Sequence, residues 1–179
     1  MSEKYVPLDV ETTGLKPWDG HLLLEVSAAV IDPASLLYVS PWFEVVIKHD
    51  VDEAREKAND YVRAMHDKTG LWDRIATEGV ELEEADERLL QFLQASVGER
   101  EGYILGNSLR LDANFLEFYM PLSSAWLHYR VIDVTSIAIF AHNSFGVPPM
   151  EKTLEHRALA DLRESVDELD WIKTRLDQR

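Results

Sequence analysis

Cysteine is absent from the 179-residue chain, which excludes disulfides, thiolate zinc centres, iron–sulfur clusters and cysteine nucleophiles together. Any metal must therefore be held by oxygen or imidazole. The first residues contain Ser2, Glu3 and Lys4 and no long apolar core, so neither a secretory leader nor a membrane span is expected there, and a cytoplasmic protein is the simple reading. With only 8 glycines and 7 prolines, the chain is neither collagen-like nor of low complexity. Basic residues are scarce as well. Against 18 Lys and Arg stand 33 Asp and Glu, a formal net charge of -15, and a field of that sign repels long polyanions unless metal cations or local basic groups intervene.

What the chain does have is an apolar content of 46% in patterned segments, enough for one folded domain spanning residues 1–179. Residues 4–10, 22–31 and 37–47 read as three early strands, separated by the turn signals Trp18-Asp19-Gly20 and Asp32-Pro33-Ala34-Ser35, and a meander is the economical arrangement. Pro7 falls in the first of these strands, where it cannot donate to a ladder, so a bulge or a non-bonding position is expected. Helical periodicity begins near Asp52. Val80, Leu82, Ala85, Leu89, Phe92 and Leu93 outline one apolar helix face, and Ala158, Leu162, Val166, Leu169, Ile172 and Leu176 outline another. Between them, residues 103–106 read as a strand, 112–119 as a helix, and 129–134 as a strand entering a further helix. Strands followed by alternating helix and strand predict an α/β sheet covered by helices.

Asp9-Val10-Glu11 ends the first of these strands, and residues two apart on a strand share a face. The pair by itself is weak, because 33 acids in 179 residues produce roughly six acid-x-acid pairs by chance. Its position before the turn Thr12-Thr13-Gly14-Leu15 is more informative, since ligand crevices of α/β sheets open at the carboxyl ends of strands. Asp112 follows Gly106-Asn107-Ser108 at the start of an apolar helix, where an ordinary capping acid is the simpler reading. His156 and Asp161 are five residues apart. They converge only if the histidine lies at or before the start of the last helix, because five residues turn a helix through about 140°. Four carboxylates and a histidine from three segments suit hard divalent ions such as Mg²⁺ or Mn²⁺, with the histidine able to take a proton from water near neutral pH.

The order Asp9-x-Glu11, Asp112, His156-x4-Asp161 resembles the DEDDh branch of 3′→5′ exonucleases. Within that branch, His128-Tyr129-Arg130-Val131-Ile132-Asp133-Val134, Tyr119-Met120-Pro121 and the run His156 to Ser165 resemble the oligoribonucleases, over nearly the whole chain. The resemblance implies a ribonuclease-H-like fold, a mixed five-stranded sheet flanked by helices. It implies hydrolysis of short RNA, down to dinucleotides, to 5′-mononucleotides. Asp9, Glu11, Asp112 and Asp161 would hold two divalent cations, Mg²⁺ or Mn²⁺, and His156 would be the general base. By the same resemblance Leu15 would wedge between two bases. Tyr61 would stack where a tryptophan is usual, and His66 would lie near the base pocket. Ser108, Arg130 and Thr135 would cap the terminal phosphate, with Thr135 in place of the usual serine. Tyr129 would reach the site from the second subunit of a homodimer. The alternatives are a proofreading or trimming exonuclease acting on DNA or longer RNA, and a non-catalytic nucleotide-binding protein of the same fold.

Overall fold

The computed structural model describes residues 3–151 and 158–178. β1 (Lys4–Thr12), β2 (Leu23–Ala28), β3 (Phe43–Val46), β4 (Gly102–Gly106) and β5 (Val131–Asp133) form one sheet in the order β3-β2-β1-β4-β5. β1–β2 and β2–β3 are antiparallel, and β1–β4 and β4–β5 are parallel. This is the mixed five-stranded sheet that the resemblance implies. The two early hairpin pairings give the meander; the parallel pairings need crossovers, which the helices supply.

Alternation along β1 decides which layer each residue meets. Val6, Leu8 and Val10 face one side and bury against Ala85, Leu89 and Leu93 of α4 (Leu82–Ser96) and Phe115 and Leu116 of α5 (Arg110–Tyr119). The other face carries Tyr5, Pro7, Asp9 and Glu11. There α8 (Ala158–Asp177) packs across β1, β2 and β4, with Val166 in a cluster with Ile31, Leu105 and Val134. Beside it, Leu71, Trp72 and Ile75 of α3 (Leu71–Glu78) cover Leu24 and Val46.

The two later early strands are shorter than the sequence suggests. Residues 29–42 make only isolated bridges, Tyr5 with Ile31 and Ile31 with Tyr38, because the Asp32 carboxylate accepts from Ala34 N, Ser35 N and Ser35 Oγ and closes a tight turn in mid-segment. Pro7 adopts neither of the expected solutions. Its carbonyl accepts from Ala29 N at 3.0 Å, so its nitrogen also faces the β2 side. The ladder forgoes one return bond there, β2 ends at Ala28, and the parallel register of Pro7 with Leu105 is intact.

The helical region divides into α1 (Val51–Lys57), α2 (Asp60–Thr69) and α3, with Asp50 and Asn59 capping the first two through Glu53 N and Val62 N. Gly70 separates α2 from α3 at φ 75°, a left-handed conformation that glycine adopts without a Cβ penalty. α6 (Pro121–Trp126) and α7 (Val134–Phe145) complete the set.

Candidate metal centre

The site is built at the carboxyl end of β1. Asp9 and Glu11 project from the face covered by α8, and a register shift with β2 between Glu11 and Thr12 turns the strand end away. Asp161 comes from the first turn of α8. One carboxylate oxygen from each of Asp9, Glu11 and Asp161 lies within 4.8 Å of the others. Asp112, in the first turn of α5, is buried behind them, and its Oδ1 accepts from Val10 N at 3.1 Å. That bond ties α5 to the backbone between the two β1 acids.

Crowded carboxylates in a half-dry site resist ionisation. Burial first, and then the charges of Asp112, Glu11, Asp161 and Glu25, hold Asp9 well above the usual carboxylate range. Burial, Asp161 and Asp112 push Glu11 up to about 8. Burial pushes Asp112 up to about 7, against the lowering effect of its backbone hydrogen bonds. An oxygen-only donor set that is electrostatically unfavourable by itself fits a hard divalent cation, which would neutralise the repulsion.

The next polar layer forms no motif within any one segment. Register places Glu25 opposite Glu11 and Ser27 opposite Asp9, with Glu44 opposite Ser27. Glu25 is buried and takes Arg74 Nη1 at 2.6 Å, while the same guanidinium reaches Glu44 at 2.6 Å and Glu78 at 3.1 Å. Burial and a hydrogen bond with Glu44 push Glu25 up to about 8, and Arg74 pulls the other way. The available signal was a lone glutamate two residues from a serine inside an otherwise apolar strand.

On the opposite side of Asp161 a polar chain links β4 to α8. Asn107 Nδ2 donates to Ser165 Oγ at 3.1 Å, Ser165 Oγ donates to the Asp161 carbonyl at 3.1 Å, and Thr135 Oγ1 donates to Asn107 Oδ1 at 3.2 Å. Ser108, held at φ 56°, brings its Oγ to 3.3 Å from Thr135 Oγ1. Asp133 fixes both ends, accepting from Leu109 N at 3.0 Å and Ser136 N at 2.8 Å. Ser108 and Thr135 are thus brought together. Arg130 stacks its guanidinium 4.8 Å from the Tyr129 ring centroid, at the end of a column running Tyr103, His128, Tyr129.

Leu15 and Tyr61 are 72% and 68% exposed, so neither belongs to the core. Tyr129 is 72% exposed. His66 differs: it is fully buried, and burial holds its imidazole below the ordinary histidine range. His156 lies outside the described residues.

A sheet whose strand end gathers carboxylates for divalent cations defines a class, the metal-dependent phosphodiester-cleaving enzymes of the ribonuclease-H-like fold. Residues 6–169 match the exonuclease family RNase T, and the chain belongs to that family. It is 36% identical to a probable oligoribonuclease of Schizosaccharomyces pombe over 176 residues, covering 97% of this chain and 69% of the relative. It is 36% identical to the oligoribonuclease of Rhodococcus jostii over 179 residues, covering 97% of this chain and 87% of the relative. With the oligoribonuclease of Leifsonia xyli it shares 39% identity over 178 residues, covering 96% and 83% of the two chains. Among solved structures, cell-death related nuclease 4 superposes with a TM-score of 0.68 at 14% identity, covering 97% of this chain and 64% of that one. The Mg²⁺- and Mn²⁺-bound form of S. pombe Pop2p superposes with a TM-score of 0.62 at 13% identity, covering 96% and 83%. At those identities the superpositions show the fold.

Proposed function

We propose that the protein is a 3′→5′ exoribonuclease that hydrolyses short RNA, down to dinucleotides, to 5′-mononucleotides in the cytoplasm. The observation that carries this reading is the convergence of Asp9, Glu11 and Asp161 within 4.8 Å at the end of β1, in a chain whose curated relatives are oligoribonucleases. Asp9, Glu11, Asp112 and Asp161 would hold two Mg²⁺ or Mn²⁺ ions. When bound, such ions polarise a phosphate and lower the pKa of water. His156 would accept the proton of the attacking water.

The chain's own side chains supply the recognition. The exposed Leu15 and Tyr61 offer an apolar wedge and a ring face to two bases, and aromatic–base stacking contributes about 1–3 kcal/mol per base. His66 would support the base pocket from within α2. The paired hydroxyls of Ser108 and Thr135, with the Arg130 guanidinium, would receive a terminal phosphate. Tyr129 would complete the site of a second copy, so the active form is a homodimer. Phe118, Leu122 and Val131 are exposed apolar groups available to that contact, whereas Tyr119 and Trp126 spend their polar atoms inside the chain, on the His21 and Val97 carbonyls.

The test compares 5′-labelled RNA dinucleotide with RNA and DNA of about 20 nucleotides, the length at which many phosphates meet the protein's field, in the presence of Mn²⁺. Dinucleotide RNA is expected to be cleaved fastest, and Asp161→Ala is expected to lose more than about 100-fold in rate, since even the groups behind metal ligands cost 10–100-fold. Faster cleavage of the long strands, or of DNA, would replace this reading with the trimming exonuclease.

A further inference from the structure

His66 sits in the last turn of α2, with 0% of its surface exposed. Its Nε2 lies 3.1 Å from the Thr12 carbonyl oxygen. A carbonyl offers only lone pairs, so Nε2 carries the proton and donates it. The ring is clamped edge-on by Trp72, with centroids 5.2 Å apart at 84°, and the Arg55 guanidinium lies 5.3 Å from the Trp72 ring centroid. Arg55 is itself fixed by Asp67, through Nη1 at 2.6 Å and Nη2 at 3.2 Å. The imidazole therefore has one orientation. Its second nitrogen, Nδ1, is buried, has no hydrogen-bond partner among the described residues, and stands 3.9 Å from Glu11 Oε2.

One ring thus meets the two residues on either side of the β1 register shift, the side chain of Glu11 and the backbone of Thr12. We propose that His66 is a positioning residue for cation binding: it fixes the strand end through Nε2–H and bounds the Glu11 carboxylate through Nδ1, so that this carboxylate stays turned toward Asp9 and Asp161. With its proton committed to Thr12, the ring presents a lone pair and no donor to Oε2. A donor at that place would compete with a cation for the same oxygen, and open space would let the carboxylate swing toward α2. A lone pair at close range does neither. Groups that orient metal ligands by hydrogen bonding are worth 10–100-fold in metal affinity, and the bond of His66 here goes to the Thr12 carbonyl, the backbone next to the ligand Glu11. α2 also carries Tyr61, so the same ring ties the helix that offers a stacking surface to the metal ligand. The inference rests on the metal-dependent reading of the site and leaves the identity of the nucleic acid open.

Calorimetric titration of Mn²⁺ without nucleotide tests it, with thermal unfolding as the check on folding. His66→Ala is expected to bind Mn²⁺ about 10- to 100-fold more weakly than the parent, and His66→Gln, which restores the N–H toward Thr12 but not Nδ1 toward Glu11, is expected to recover part of that loss. A folded His66→Ala with parental Mn²⁺ affinity and only a raised KM for dinucleotide would overturn the inference and make His66 a direct substrate contact. Should the alanine variant not fold, His66→Asn decides, since it keeps a polar atom at the δ position and loses the N–H toward Thr12. Weakened Mn²⁺ affinity in the folded variant sustains the inference, and parental affinity overturns it. A parent that binds Mn²⁺ but leaves short RNA intact removes the RNA reading and leaves this one standing, whereas a parent that binds no Mn²⁺ overturns it.

Discussion

Asp9 shows how much a single residue's surroundings decide. On β1 it has Glu11 two positions along on the same face, Ser27 opposite, Asp112 behind and Asp161 across from it. The alternation of Asp9 with Glu11 is legible in the sequence, because a strand has a period of two. Glu25 is not, because its meaning depends on pairing with β1 and on Arg74, 49 residues away. The raised carboxylates carry a consequence for stability. Glu11 moves from 4.5 to about 8 and Asp112 from 3.8 to about 7 on folding. A carboxyl that binds its proton more tightly when folded stabilises the fold below its unfolded pKa, and that contribution is lost as pH rises through the folded value. With a chelator present, the melting temperature is therefore expected to fall steadily from about pH 5 to pH 8. Mn²⁺ is expected to flatten the slope, because ligated carboxylates no longer need protons. A chelated protein that gains stability over that range would contradict the electrostatic account of the site.

Among the elements, α4 and α8 are the most legible, each with an apolar stripe at intervals of three and four residues. β2 and β3 are less so. A continuous apolar run cannot show where a ladder stops, and here the stops are set by Pro7 opposite Ala29 and by the Asp32 turn. The start of α6 was equally hidden. It opens on Pro121 with no side-chain cap of its own, and the buried Asp86 of α4 supplies one, accepting from Leu122 N and Ser123 N at 2.9 Å each, while Ser123 Oγ donates to the Asp86 carbonyl. A sequence pattern shows local caps and cannot show one lent by a helix 36 residues earlier. Asp86→Ala leaves the buried Ser123 N and the part-buried Leu122 N unsatisfied and is expected to cost about 2 kcal/mol in urea unfolding, with Asp86→Asn costing less because it keeps one acceptor. Equal stability of the alanine variant would show that α6 finds another cap.

The whole molecule carries a net charge of -15, and four of its acids, Asp9, Glu11, Asp112 and Asp161, belong to the proposed metal set. Two divalent ions would offset those four negative charges locally and leave the rest of the surface negative. A dinucleotide then meets only the pocket, whereas a long strand is repelled along its length. Raising salt from about 0.03 M to about 0.3 M screens that repulsion, so the rate on long RNA is expected to rise relative to the rate on dinucleotide. A ratio that falls with salt would instead reveal a basic track binding the longer strand.

Composition, strand alternation and helix periodicity determined from the sequence alone that the chain forms an α/β sheet, that any metal is held by oxygen or imidazole, and that Asp9 and Glu11 share a face. These are properties of neighbours along the chain, governed by local geometry. Tertiary structure decided which distant groups complete the set. It brought Asp161 within 4.8 Å of the β1 acids, paired Ser108 with Thr135, and buried His66 against Glu11 and Thr12. Contacts between segments follow from register, crossover and helix docking, and none of these is encoded in the spacing of any one segment.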